Sequence, residues 1–137
     1  MGVSITANNS RYDFDMGYGG FFNLRKNIAL ALDQEFGENY ALLSKCVTKR
    51  QFSENDQVAN MIIQRKQLDE DIVSFLYMPD TGGKINYRIC KKISNLLKKV
   101  DLSDKSFRYA AYAHNDYQEF IEFLDECYSK RRDMVWY

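Results

Sequence analysis

The chain has 137 residues, of which 45% are hydrophobic and 15% aromatic, and its 19 basic side chains balance its 19 acidic ones. A chain of this length and composition can bury a core without disulfides or metals, so we expect a single compact domain over residues 1–137 and no extended disorder. Zero net charge argues against a dedicated nucleic-acid-binding protein, which normally gains affinity from a basic surface.

The first third of the chain predicts a strand followed by a helix. Residues 2–7, GVSITA, alternate and are rich in β-branched side chains, which is typical of a strand. After a polar, turn-rich segment, a helix is predicted from about Phe21 to Phe36, with Gly37 as the left-handed residue that ends it. The apolar face of this helix comprises Phe21, Leu24, Ile28, Ala31 and Leu32.

The middle third predicts shorter helical segments. Residues 38–47, ENYALLSKCV, favour a short helix that ends near Thr48. Ser53, followed by acidic residues, indicates the N-cap of the next helix. The apolar face of that helix comprises Val58, Met61 and Ile62. A second acidic start at residues 69–71 predicts a break or bend near Leu68.

The last third predicts a loop, two helices and a strand. Residues 79–83, PDTGG, form the clearest loop in the chain. Apolar residues then recur at helical spacing in two groups, each of which predicts a helix. The first group is Ile85, Ile89, Ile93, Leu96, Leu97 and Val100. The second group follows a predicted cap at Asn115 and is Tyr117, Phe120, Ile121, Leu124, Cys127 and Tyr128. Residues 106–114 between them fit either an extended chain or a short helical turn. The closing segment DMVWY predicts a strand that pairs with the N-terminal strand.

Together these elements predict an α+β fold that is mainly α, with several amphipathic helices and a small sheet formed by the N- and C-terminal strands. The C-terminal strand can pair within the chain or extend a sheet between two chains, so a homo-oligomer remains an open alternative. No apolar run reaches the roughly 18 residues that a membrane span requires, so we expect no membrane partner. The three widely spaced cysteines fit free thiols in a reducing cytoplasm better than a disulfide framework.

Patterns for catalysis and metal binding are missing from the sequence. There is one histidine, His114, and no two cysteines have C-x-x-C spacing, so no metal site is expected. The segment DTGGKI lacks the residues of a P-loop, since Met78 and Ile85 stand where a glycine and a Ser or Thr are needed. We therefore expect no enzymatic activity and no cofactor.

The segment DMGYGGFFNLRK, residues 15–26, has the composition of an anion or nucleotide pocket. Its glycines allow close backbone approach, the first amides of the following helix can donate to a phosphate, and a tyrosine can stack on a base. A second glycine turn precedes another predicted helix. The candidate ligand- or anion-binding residues are Tyr18, Gly19, Gly20, Arg25 and Lys84. The alternative is that the first segment is only a tight turn that starts a helix.

The tyrosines, the C-terminal tryptophan and the basic run at residues 130–132 have the composition of a protein interface. The candidate interface residues are Tyr12, Arg131, Arg132 and Trp136. For a small neutral chain without a catalytic pattern, binding another protein is the leading hypothesis for function.

Three segments, MGYGGFFNLRKNIA, FLYMPDTGGKINYRICKKI and RRDMVWY, carry a family resemblance. They resemble a group of small uncharacterised proteins carried by phages and mobile elements of Gram-positive bacteria. The resemblance implies action in the cytoplasm of a bacterial host, and it carries over no catalytic residue. It favours inhibition or modulation of a host defence protein by protein–protein interaction. The alternative is sequestration of a nucleotide-type signal at the glycine-turn helix N-termini.

Overall fold

A computed structural model describes residues 2–100 and 117–137. The helices in these ranges are α1 Tyr18–Leu32, α2 Gln34–Ala41, α3 Lys49–Lys66, α4 Glu70–Leu76, α5 Tyr87–Lys98 and α6 Tyr117–Ser129, with a 3₁₀ helix at Leu42–Lys45. The strands are β1 Val3–Ala7, β2 Asp13–Met16, β3 Gly83–Ile85 and β4 Met134–Trp136. The predicted cap at Asn115 and the segment 106–114 lie outside the described residues.

The four strands form one antiparallel sheet in the order β2-β1-β4-β3. Strand β4 lies between β1 and β3, so that Trp136 has Ile5 and Gly83 as its partners in the two ladders. The helical content and the pairing of the N- and C-terminal strands confirm the predicted α+β, mainly α fold. The sequence pattern does not predict the edge strands β2 and β3, because each has four residues or fewer and lies beside turn residues.

One face of the sheet forms the floor of the core. Side chains alternate between the two faces of a strand, and Ile5, Phe14 and Trp136 all lie on the buried face. Helix α6 packs on this face through Phe120 and Phe123, whose ring centroids lie 5.7 and 5.5 Å from that of Phe14. Edge-to-face aromatic contacts of this kind add to the stabilisation that burial alone supplies.

The predicted helix from Phe21 to Phe36 is in fact two helices. Helix α1 begins at Tyr18, and the chain becomes extended at Asp33, whose carboxylate accepts a hydrogen bond from Phe36 N at 2.9 Å and caps α2. The prediction that Gly37 is a left-handed helix end is wrong, because Gly37 lies inside α2 and no described glycine has a positive φ. A Cβ on Gly37 would lie 2.5 Å from Leu30 Cα, so this glycine allows α2 to pack closely against α1.

The N-cap of helix α3 lies five residues before the predicted one. Thr48 and Gln51 form a capping box, so Ser53 lies within the helix and the prediction for Ser53 is wrong. The predicted apolar face is correct only at Ile62, because the other residues that α3 buries are Asn55 and Ala59. The predicted break near Leu68 is confirmed, since α3 ends at the left-handed Gln67 with φ of 52° and Asp69 caps α4.

The two predicted helices of the last third are confirmed with changed limits. Ile85 lies in β3, and the side chain of Asn86 caps α5 by accepting from the amides of Arg88 and Ile89. Val100 lies beyond the end of α5 and is exposed. In the described ranges, no helix has both the length and the apolar character to cross a bilayer.

Gly83→Ala should destabilise the fold, because a Cβ at this position would lie 2.4 Å from Cζ2 of the Trp136 indole. Overpacking of this kind costs about 1–3 kcal/mol of unfolding free energy. Urea unfolding followed by circular dichroism measures the loss. Gly82→Ala is the matched control, since its added Cβ would meet only Trp136 O at 3.7 Å. Equal stabilities of the two variants would contradict the packing role of Gly83.

Candidate functional site

The glycine-rich segment starts helix α1. Gly17 is the N-cap, with φ of −69° and ψ of 168°, and no side chain caps this end of the helix. Tyr18 is the first helical residue and is 41% exposed, while a Cβ on Gly19 would meet open space. Gly20 is buried against the rest of the fold. The segment is therefore a helix start with Tyr18 and Gly19 on its outer side and Gly20 on its inner side.

Arg25 lies in the core and not at the helix start. Its side chain is 5% exposed, and its Nη1 donates to Leu76 O at 3.2 Å and to Met78 O at 2.6 Å. The guanidinium carbon lies 4.1 Å from the ring centroid of Phe21 and 5.1 Å from that of Phe75. Burial lowers the pKa of Arg25 from its ordinary value. Arg25 therefore joins α1 to the end of α4, and its charge is not available to a ligand at Tyr18.

Lys84 is also separated from the start of α1. It is exposed on β3 opposite Val135, whereas α1 follows directly from β2 at the other edge of the sheet. Three spacings between neighbouring strands separate β2 from β3 and amount to about 14 Å. Lys84 and the start of α1 are therefore too far apart to bind the same phosphate. The five residues that the sequence assigned to a ligand thus occupy three separate places in the fold.

Trp136 is a core residue and not a surface anchor. It is 2% exposed, and its indole Nε1 donates to Pro79 O at 2.9 Å. Its ring lies 5.4 Å from that of Phe75 and 5.8 Å from that of Phe21, measured between centroids. The burial of Trp136 follows from the sheet register, because the register places it beside Ile5 on the buried face of the sheet.

The other three predicted interface residues lie near the end of α6. Tyr12 is half-buried, and its ring lies 5.9 Å from that of Phe123, centroid to centroid. Arg132 Nη1 donates to Asn9 O at 2.9 Å, which ties the chain after α6 to the β1–β2 hairpin. Arg131 is exposed. The structure therefore leaves only Arg131 of this set as a fully exposed side chain.

A surface that the sequence did not identify lies on α3. Val58 is 46% exposed and Met61 is 70% exposed, although both were expected in the core. With Ile62 they line a cleft of about 530 Å³. The polar rim of the cleft comprises Glu35, Gln64 and Arg65. We call these six residues the α3 surface.

The burial pattern of α3 shows why the sequence pattern missed this surface. Helix α3 has 18 residues, and it buries only Asn55, Ala59 and Ile62. Two of those three are polar or small, so the apolar residues of α3 are not used chiefly to fill the core. Helical periodicity alone does not reveal which of two adjacent faces packs inward.

Comparison with protein-family models, with curated proteins and with solved structures finds no match for this chain. Over residues 2–100 and 117–137, there is no group of three or more His, Cys, Asp or Glu side chains that could hold a metal ion. Cys90 and Cys127 are buried next to each other between α5 and α6, and the contact with Cys127 together with burial raises the pKa of Cys90.

Arg25→Lys should lower the unfolding free energy by about 1–3 kcal/mol, because an ammonium group cannot lie flat on Phe21 and also replace both carbonyl contacts. Urea unfolding measures the change. Arg50→Lys, at an exposed position of α3, is the matched control and should change stability by no more than about 0.5 kcal/mol. A fully stable Arg25→Lys variant would show that the planar guanidinium is dispensable.

Proposed function

We propose that this protein acts by binding another protein through the α3 surface. In this proposal it is a phage- or mobile-element-encoded inhibitor or modulator of a host defence protein, and it acts in the cytoplasm of a bacterial host. The resemblance of three segments to phage and mobile-element proteins supports the biological setting. The observation that carries the binding proposal is the exposure of Val58 and Met61 beside Ile62.

Exposed hydrophobic side chains are concentrated in one part of the described chain. Ten large hydrophobic side chains are exposed among the described residues, and half of them lie between residues 42 and 61. These five are Leu42, Val47, Phe52, Val58 and Met61. Of these five, Val58 and Met61 line the cleft together with Ile62. Single exposed hydrophobic residues are normal on a protein, whereas neighbouring ones that line a cleft are typical of a binding surface. Methionine also adapts its shape to a partner surface.

Several contacts hold α3 in place before any partner binds. The capping box of Thr48 and Gln51 fixes its first turn. Asn55 Nδ2 donates to Asn39 O at 2.9 Å and joins α3 to α2 in a buried position. At its last turn, Lys66 Nζ lies 3.0 Å from Asp33 Oδ1. A helix that is already ordered loses less conformational entropy when it binds, so a small apolar surface contributes more affinity.

The rim of the α3 surface is charged. Glu35 and Arg65 form an ion pair at its edge, and Lys66 Nζ also lies 3.1 Å from Glu35 Oε1. Hydrogen bonding from Lys66 holds the pKa of Glu35 below its ordinary value. An apolar centre with a polar rim is the common arrangement of protein interfaces, in which the rim contributes mainly to specificity and association rate.

The alternative function, sequestration of a nucleotide-type signal at the start of α1, has weaker support. The uncapped helix end and the exposed Tyr18 favour it. However, Arg25 and Lys84 lie elsewhere, and the strand that leads into α1 exposes Asp13 and Asp15. Carboxylates near a helix start repel a phosphate, so the protein-binding proposal accounts better for the surface chemistry.

Val58→Glu/Met61→Glu should abolish retention of the partner, because two charges would have to be buried in an apolar interface. The protein is immobilised and exposed to lysate of a Gram-positive host, and the retained proteins are identified by mass spectrometry. The double variant should retain at least about tenfold less of the specific partner than the unmodified protein. In cells of that host, the same substitutions should restore defence against a sensitive phage.

Gln57→Glu/Asn60→Glu is the matched control, since it adds the same two charges to exposed positions of α3 outside the cleft. It should retain the partner as the unmodified protein does. Equal retention by all three proteins would overturn the assignment of the α3 surface. Sedimentation equilibrium tests the remaining alternative. A homodimer that dissociates only in the Val58/Met61 variant, with no host protein retained, would assign the surface to self-association and contradict the proposal.

A further inference from the structure

A second cleft lies between helices α5 and α6 and has a different chemical character. Its volume is about 560 Å³, which is within the range of small-molecule sites. Four of its lining side chains are cationic, two are tyrosines and none is a carboxylate. The lining residues are Tyr87, Arg88, Lys91, Lys92, Asn95, Tyr128, Ser129 and Arg131. We call this site the α5–α6 cleft.

The cations of the cleft differ in their existing partners. Lys92 Nζ lies 2.9 Å from Asp71 Oδ2, and Lys91 Nζ lies 3.6 Å from Asp125 Oδ1. Arg88 and Arg131 are exposed, and neither forms an ion pair with any described residue. Two guanidinium groups are therefore available to an anion, and guanidinium binds phosphate with paired hydrogen bonds.

Aromatic rings lie beside these cations. The ring centroids of Tyr87 and Tyr128 are 6.1 Å apart with an interplanar angle of 45°. The guanidinium carbon of Arg88 lies 5.1 Å from the Tyr87 centroid, and Lys91 Nζ lies 5.4 Å from the Tyr128 centroid. The two tyrosines therefore line the same cleft as the two free guanidinium groups. A planar ring can stack on a tyrosine there while its phosphates bind the guanidinium groups.

Contacts between α5 and α6 hold the walls of the cleft in place. Ser94 Oγ donates to Asp125 Oδ1 at 2.6 Å, and Lys98 Nζ lies 2.8 Å from Asp125 Oδ2. These contacts join α5 to α6, and the Asn86 cap fixes the first turn of α5. The spacing of the two walls is therefore set by the fold and does not depend on a ligand.

We propose that the α5–α6 cleft binds a small phosphorylated ligand with an aromatic ring, of the nucleotide class. Arg88 and Arg131 hold the phosphates, and Tyr87 or Tyr128 stacks on the base, while Lys91 and Lys92 keep their carboxylate partners. The zero net charge of the chain disfavours a long nucleic-acid strand, which gains affinity from an extended basic surface. This site is separate from the α3 surface and goes beyond the proposed function.

Isothermal titration calorimetry with four probes tests the ligand class: ATP, tripolyphosphate, adenosine and a 15-nucleotide oligothymidylate. ATP should bind more tightly than tripolyphosphate, since only ATP adds a stacking ring, and its Kd should rise with salt. Adenosine should bind weakest. Absence of ATP binding, equal affinities for ATP and tripolyphosphate, or tighter binding of the oligonucleotide than of ATP would each overturn the proposal.

Variants then locate the site. Arg88→Gln/Arg131→Gln should raise the Kd for ATP at least about tenfold. Arg50→Gln/Lys130→Gln removes the same net charge from exposed positions that do not line the cleft, and it should leave the Kd within about twofold. Tyr128→Leu should weaken ATP without changing tripolyphosphate. If Arg88→Gln/Arg131→Gln and Arg50→Gln/Lys130→Gln raised the Kd for ATP equally, the effect would be one of non-specific charge, and the proposed site would be overturned.

The two proposals fail separately. Val58→Glu/Met61→Glu leaves the α5–α6 cleft unchanged and should bind ATP as the unmodified protein does, whereas Arg88→Gln/Arg131→Gln should still retain the protein partner. Loss of ATP binding in the α3 variant would place the nucleotide elsewhere and contradict the assignment of this cleft.

Discussion

The fold depends on the buried guanidinium of Arg25. It stacks on Phe21 of α1, lies near the rings of Phe75 and Trp136, and donates to backbone carbonyls at the end of α4. The last carbonyls of a helix lack partners within the helix, and a cation near them also interacts favourably with the helix dipole. Since the Trp136 indole donates to Pro79 O, the same cluster also joins the C-terminal strand to the loop after α4.

The distribution of aromatic and aliphatic side chains between core and surface gives the two proposed sites their chemistry. The aromatic residues suited to a binding surface are largely used inside: Phe120, Phe123 and Trp136 are all buried. Five of the ten exposed large hydrophobic side chains in the described ranges lie on and before α3, and four of these five are aliphatic, while Tyr87 and Tyr128 border the cations of the α5–α6 cleft. The two proposed sites differ accordingly, one being apolar with a charged rim and the other cationic with aromatic walls.

Much of the helical content follows from local spacing, and much of the capping does not. Apolar residues at helical intervals identify α5 and α6 because each of these helices buries one clear stripe. Thr48 and Ser53 are both acceptable N-caps by local chemistry, and the helix starts at the earlier one, where Thr48 and Gln51 form a capping box. Similarly, the apolar spacing predicts one helix across Asp33, whereas the chain becomes extended at Asp33 and forms two helices. The spacing of apolar residues does not reveal such a break.

By itself the sequence determined the fold class and the strands at the two ends, because both follow from side-chain period and β-branched composition over a few neighbouring residues. Only the tertiary structure decided that Arg25 and Trp136 are internal, that Val58 and Met61 are external, and that Arg88 and Arg131 line one cleft. The physical reason is that burial depends on which faces of distant elements meet. An arginine or a tryptophan suits a binding surface by its chemistry, but its position relative to the core depends on contacts with residues far away in the chain.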